Sequence, residues 1–146
     1  MSREYPKRPI VGAGACIVRR GRLLLVRRGA EPGRGKWSIP GGLVELGEKV
    51  EDAMVREAKE EVGLDVKAIR LVDVFDSLTL DKSGHVQYHF VVVNFLVRVV
   101  GGRLHTGDDV MESKWVPLDE VEKCDLTKSF RVFFKKHKEN LMKWAP

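Results

Sequence analysis

Residues 41–64 read Gly-Gly-Leu-Val-Glu-Leu-Gly-Glu, then Lys-Val-Glu-Asp-Ala-Met-Val-Arg, then Glu-Ala-Lys-Glu-Glu-Val-Gly-Leu. From about Lys49 to Val62 the composition is strongly helical, and Gly63 stands where a helix would stop. On a wheel of roughly 100° per residue, Val50, Ala53 and Met54 share one side. Glu57 and Glu61 fall within that same arc of about 100°, with Glu60 at its edge. The stripe expected to pack on a core therefore turns from apolar to acidic. A merely solvated acidic face would put its carboxylates opposite the apolar side.

Glutamates at such spacings repel one another, and partial burial adds a desolvation penalty. Arg56 neighbours Glu60 on the wheel and can balance one carboxylate, but not three. A divalent cation can balance the rest. Hard oxygen donors without clustered Cys or His point to Mg²⁺ or Mn²⁺ rather than zinc. Gly41-Gly42 lets the chain turn sharply and brings backbone oxygens close to the helix. Glu48 stands in the first turn, where the helix dipole favours a negative charge.

Working outward, Val11–Val18 and Arg22–Arg28 read as strands joined at Arg20-Gly21. Residues 29–36 form a loop with three glycines and a proline, and Trp37–Pro40 is a short extended piece. Strands are expected over Val66–Ser77 and Gln87–Val100, separated by the turn Asp81-Lys82-Ser83-Gly84. A turn region from Gly101 to Glu112 precedes a short strand at Lys114–Val116. Pro117-Leu118-Asp119-Glu120 opens a short helix, and Leu126–Lys143 is an amphipathic helix with Phe130, Phe133 and Phe134 inward. The order predicts an α/β protein with a mixed β-sheet between helices.

The 146 residues suit one domain. With 43% hydrophobic and 32% charged residues, the chain is expected to fold in water. Its longest apolar run, near Phe90–Val93, is too short for a bilayer, and no signal-type apolar region follows the charged N-terminus. Two cysteines, Cys16 and Cys124, exclude a thiolate-rich metal cage and argue against a disulfide framework. The expected location is cytoplasmic. A net charge of +5 favours an anionic, phosphate-bearing partner. Amides are scarce (Gln87, Asn94 and Asn140), which suits a thermophilic source.

Gly42, five residues, Glu48, seven residues, then Arg56-Glu57-Ala58-Lys59-Glu60-Glu61-Val62-Gly63-Leu64 resembles the complete Nudix signature, G-x5-E-x7-R-E-U-x-E-E-x-G-U. Ala58 departs from the larger aliphatic usual at the first U position, a matter of packing rather than chemistry. The resemblance implies a single Nudix hydrolase domain over residues 1–146, folded as an α/β/α sandwich. It implies hydrolysis of a nucleoside diphosphate linked to a further group, by water attack on phosphorus. It also implies that Glu57, Glu60 and Glu61, with the Gly41 carbonyl, hold the metals. Arg56 would orient the carboxylates, and Glu48 would brace the loop or reach a metal through water. The general base in this family is a box glutamate or a carboxylate from a later loop. Such proteins are often homodimers.

Among residues outside the box, Asp108, Asp109 and Glu112 are expected on a loop suited to a further ligand or base, Glu112 being preferred. Arg27, Arg28 and Lys36 flank the Gly-rich loop and are candidate phosphate contacts. Trp37, Phe75 and Tyr88 are candidates for stacking on a base, and His89 for holding a ribose; each has an ordinary core or surface role as its alternative. The runs Trp37–Glu45 and Tyr88–Val91 resemble ADP-ribose pyrophosphatases, which makes ADP-ribose or a related nucleotide sugar the leading substrate. A proline that one ADP-ribose subgroup carries beyond the box is replaced here by Thr79 and Leu80. The alternatives are a nucleoside triphosphatase that removes oxidised nucleotides and, from another class, an RNA 5′-end-processing or RNA-binding protein. The basic face of the last helix, with Arg131, Lys135, Lys136, Lys138 and Lys143, motivates the RNA reading. No interleaved exposed aromatics accompany it, which argues against a nucleic-acid partner.

Overall fold

The computed structural model describes residues 3–146; Met1 and Ser2, which open the expected domain, lie outside the described residues. Seven strands and two α-helices follow in the order β1 (Ile10–Arg19), β2 (Arg22–Arg28), β3 (Trp37–Ser38), β4 (Gly41–Leu43), α1 (Val50–Val62), β5 (Leu64–Leu80), β6 (Val86–Gly102), β7 (Val110–Pro117) and α2 (Lys128–Trp144). A single 3-10 turn, Val121–Lys123, takes the place of the expected short helix.

The sheet is mixed, as expected. β1 runs parallel to β6 along Ile10–Ile17, and its other edge is shared. The Gly12–Gly14 stretch pairs with β4, while Val18 and Arg19 pair with β2. β2 in turn carries β3 and β7, and β6 carries β5. One strand thus parts the sheet into two leaves, and β4 lies in the gap between them.

Covered on both sides, β1 from Ile10 to Val18 and β2 from Leu23 to Val26 carry no charged side chain, as a doubly buried strand must. Alternate residues serve two cores. Ala13, Ala15, Ile17, Leu24 and Val26 pack with Ala53, Met54, Ala58 and Val62 of α1. Cys16, Val18, Leu23 and Leu25 pack with Phe130, Phe133, Phe134 and Leu141 of α2. The small Ala58 is fully buried there.

Each helix has a defined end. Thr127 caps α2 by accepting a bond from the Phe130 amide at 3.2 Å. Gly63 ends α1 in the left-handed region, φ 73°, with its amide on the Lys59 carbonyl, a conformation glycine adopts without penalty. The segment after β6 then closes the helix end: His105, Arg103 and Gly107 donate their amides to the carbonyls of Val62, Gly63 and Glu61.

Two boundaries differ from the sequence reading. β5 and β6 form a ribbon of 17 residues per strand, longer than expected. β7 begins at Val110 rather than at Lys114, so Glu112 belongs to a strand and not to a loop. Pairing explains the second case, because Arg27 on β2 sits opposite Glu112 and bonds to it.

Candidate active site

α1 delivers its acidic turn to β4. Glu57 is nearly covered, its side chain 16% exposed, whereas Glu60 lies further out at 57%. The Glu61 carboxylate accepts the Gly41 amide at 3.0 Å. Gly42 faces Glu57 so closely that a β-carbon there would run into the carboxylate. The glycine pair is therefore a matter of space, because Gly42 lies against the Glu57 carboxylate and Gly41 against the backbone of Ala13 and Gly14 on β1.

Arg56 organises the cluster. Its guanidinium grips Glu48 with two bonds, Nε to Oε2 at 2.8 Å and Nη2 to Oε1 at 2.9 Å. Nη1 reaches Glu57 at 2.9 Å and Glu60 at 3.3 Å, and Nη2 also donates to the Leu43 carbonyl at 3.1 Å. Glu48 in turn accepts the Glu45 amide at 3.1 Å, so it braces the loop between β4 and α1. The bonds from Arg56, and then that amide, hold the Glu48 carboxyl down at about 2.

Glu61 is in the opposite situation. Burial, opposed by the Gly41 amide and reinforced by the charge of Glu57, pushes its carboxyl up to about 7. Burial also raises Glu57, against the pull of Arg56. Among described residues no three Asp, Glu, His or Cys side chains form a ready-made metal cage. The donors nevertheless suit Mg²⁺. That ion keeps several waters and is held by one or two carboxylates plus substrate phosphates rather than by a closed protein shell. Two half-buried carboxylates one turn apart, one of them bonded only to a backbone amide, are an electrostatic burden that a cation relieves.

Two further charges face the pair. Arg28 is partly buried, donates to the Pro32 carbonyl at 2.7 Å, and lies in the field of Glu61. Asp109 adds its negative field to both Glu57 and Glu61. Glu112 does not join them. It pairs with Arg27 at 3.3 Å, and that part of β2 and β7 alternates so that Arg27, Glu112 and Lys114 share the α2 side with Leu25. The strand register thus places Glu112, the carboxylate preferred from the sequence, on the α2 side of the sheet.

The remaining candidates separate in the same way. Arg27 also donates to the Gly35 carbonyl, and Lys36 is paired with Asp125 at 3.0 Å. Trp37 is core, 8% exposed, with the Lys114 ammonium 4.2 Å above its ring, so the ring is not free to stack on a base. Phe75 meets Phe133 edge-on under α2. Tyr88 stacks on Phe90 and lies in the field of Glu31, on the loop after Arg28. His89 alternates to the other face of β6, opposite Leu78, so the two cannot address one ligand from the same side.

A family model for the NUDIX domain matches residues 8–137. The chain belongs to the Nudix hydrolase family. It is 39% identical, over 115 residues, to a protein named ADP-ribose pyrophosphatase from Methanocaldococcus jannaschii. The match covers 79% of this chain and 66% of that relative, so the chain spans just under two thirds of its length. Among solved structures, the MutT NUDIX hydrolase from Burkholderia pseudomallei is 32% identical with a TM-score of 0.71, covering 88% of this chain and 98% of that one. An ADP-ribose pyrophosphatase from Streptococcus suis is 28% identical with a TM-score of 0.64, covering 88% and 91%. Nudix hydrolases generally use divalent metals such as Mg²⁺. The α/β/α sandwich expected from the Nudix signature is the fold of these neighbours.

Sequence reading missed the segment 103–107. Its backbone closes the end of α1 immediately before Asp109, and backbone bonding of this kind leaves no side-chain pattern to find. Gly107, two residues before Asp109, is its one visible sign.

Proposed function

We propose that this chain is a Mg²⁺- or Mn²⁺-dependent pyrophosphohydrolase that cleaves a nucleoside diphosphate joined to a further group, with ADP-ribose as the leading substrate. The observation that carries the proposal is the buried Glu61 carboxylate, flanked by Glu57, seated on the Gly41 amide and faced by Arg28. The name of the archaeal relative supports the choice of substrate.

In this reading Glu57 and Glu61, with Glu60 and the Gly41 carbonyl, would hold the cation. When bound, it would supply charge neutralisation for the phosphate oxygens and a more acidic water. Arg56 fixes the rotamers of Glu48, Glu57 and Glu60. Arg28 offers its guanidinium to a phosphate. Asp109 accepts the proton from the attacking water as a P–O bond of the pyrophosphate breaks, and the leaving phosphate takes up the negative charge. ADP-ribose plus water would yield AMP and ribose 5-phosphate. Tyr88, beside the 29–36 loop, is the aromatic best placed to meet a base.

Among described residues no helix is long and apolar enough to cross a membrane, and both cysteines are free thiols. Both fit work on a cytoplasmic nucleotide pool. The alternative reading from the sequence, hydrolysis of oxidised nucleoside triphosphates, is not the one the comparisons favour, because the relative at 39% identity is named ADP-ribose pyrophosphatase. Product analysis in a Mg²⁺-dependent screen separates the two. AMP with ribose 5-phosphate supports the first, a nucleoside monophosphate with pyrophosphate supports the second, and no cation-dependent turnover of either class refutes both.

A further inference from the structure

The β5–β6 ribbon carries an unmatched group of cations on the face turned away from α1. Val66 and Ala68 of β5, opposite Val99 and Val97, pack on the α1 side. Lys67 and its strand partner Arg98 therefore stand together on the α2 side. Like charges directly opposite one another on an antiparallel pair destabilise the sheet. No counter-charge offsets this pair. Among the described residues neither side chain has an ion pair or a hydrogen bond. Asp65, the nearest carboxylate along β5, is already paired with Lys59 of α1 at 3.2 Å.

The strand is irregular at this point. Its register shifts between Ala68 and Arg70, which leaves Ile69 without a partner and 42% exposed. The shift sets Arg70 opposite Leu96, on the α2 side, where its guanidinium carbon lies 4.1 Å from the centroid of the Trp144 indole. This cation–π contact fixes the last residue of α2 beside the ribbon. Lys67, Ala68, Ile69, Arg98, Trp144 and Pro146 line a cavity of about 420 Å³ there. That volume falls in the range of small-molecule sites. Two cations form one part of the lining, and an aliphatic and aromatic surface forms the rest.

We propose that this cavity binds a nucleoside phosphate at a site separate from the acidic turn of α1, its phosphates on Lys67 and Arg98 and its base against Ile69, Trp144 and Pro146. The lining decides the class of ligand. An ammonium and a guanidinium side by side, both without a partner, call for an anion of more than one charge, and phosphate oxygens suit both groups. The indole and its apolar neighbours call for a flat ring. An inorganic anion would leave that surface in water, and a hydrocarbon would leave the cations unmatched. Glu57 and Glu61 belong to the helix on the opposite face of the sheet, so a ligand here does not compete with the substrate for the box.

The test is a titration of the full ¹⁵N-labelled chain with ADP in EDTA, read by NMR at the Trp144 indole N–H and the backbone amides of Lys67 and Arg98. These signals should shift saturably, while those of the Trp37 and Trp115 indoles stay in place and report an intact fold. Lys67→Met and Arg98→Met should each weaken binding roughly tenfold or more. Lys135→Met, an exposed position on α2 outside the lining, should leave it unchanged. Glu61→Gln should also leave it unchanged, which separates this site from the function assigned to the box. The absence of a saturable shift at Trp144 overturns the proposal, as does a shift that survives both ribbon substitutions or is lost equally in Lys135→Met. Inorganic pyrophosphate binding as tightly as ADP overturns the assignment to a nucleoside.

Discussion

Replacing Glu61 by glutamine should make the metal-free protein more stable at alkaline pH while nearly abolishing its turnover. The reason lies in the burial of this carboxyl, which takes its titration from an ordinary 4.5 up to about 7. A carboxyl raised in the folded state binds its proton more tightly there than in the unfolded chain. Its stabilising contribution is therefore complete below about pH 4.5 and disappears as the pH climbs through about 7. The interval, at about 1.4 kcal/mol per pH unit, amounts to about 3 kcal/mol lost by pH 8. Glutamine keeps an oxygen for the Gly41 amide and has nothing to ionise. Urea unfolding in EDTA at pH 5 and pH 8 should therefore show a wild-type decline that the variant lacks, the difference approaching about 3 kcal/mol. Saturating Mg²⁺ should restore the wild type at pH 8, by mass action on the folded state, and leave the variant where it was. Turnover by Glu61→Gln should fall roughly a hundredfold or more. Equal pH dependence of the two proteins in EDTA would refute the assignment of a buried, strained carboxylate, and near-normal turnover would refute its role with the cation.

Two other substitutions probe the neighbours of that carboxylate. Asp109→Asn should lower kcat by about 10²-fold or more if Asp109 takes the proton, whereas Glu112→Gln should change it only a few-fold; the reverse order in a steady-state assay would restore Glu112 to the role that the sequence suggested for it. Arg56→Lys keeps the charge but gives up the two-pronged grip on Glu48 and the reach to Glu57, so Mg²⁺ affinity, read by titration calorimetry, should weaken about 10- to 100-fold.

The box was legible in the sequence because its chemistry is written in side chains at helical spacing. An acidic turn on a buried stripe has few physical explanations, and the sandwich follows from the order of strands and helices around it. The limits of the reading are equally physical. Glu112 was expected on a loop, but β7 begins at Val110 and pairs with β2, so the register across from Arg27 decides which face its side chain meets. Trp37 looked like a platform for a base, but its partner Lys114 is distant in the chain. Tyr88 and His89 were each candidate substrate contacts, yet adjacent residues on a strand point apart. Each miss required knowledge of which strand lies beside which.

The closure of the α1 end by residues 103–107 bears on how this chain can change in length. Three backbone bonds hold that segment to the last turn of the box helix, and Asp109 follows within two residues. An insertion there would shift the Asp109 carboxylate relative to the acidic turn of α1. At the other end of the same ribbon, Ser83 and Gly84 of the turn donate their amides to Asp81, and among the described residues no hydrogen bond joins the turn to the site. Lineages of this protein should therefore accumulate inserted residues at the ribbon tip and keep the span from Gly101 to Asp109 at constant length, so that one hairpin is free to vary at one end and fixed at the other.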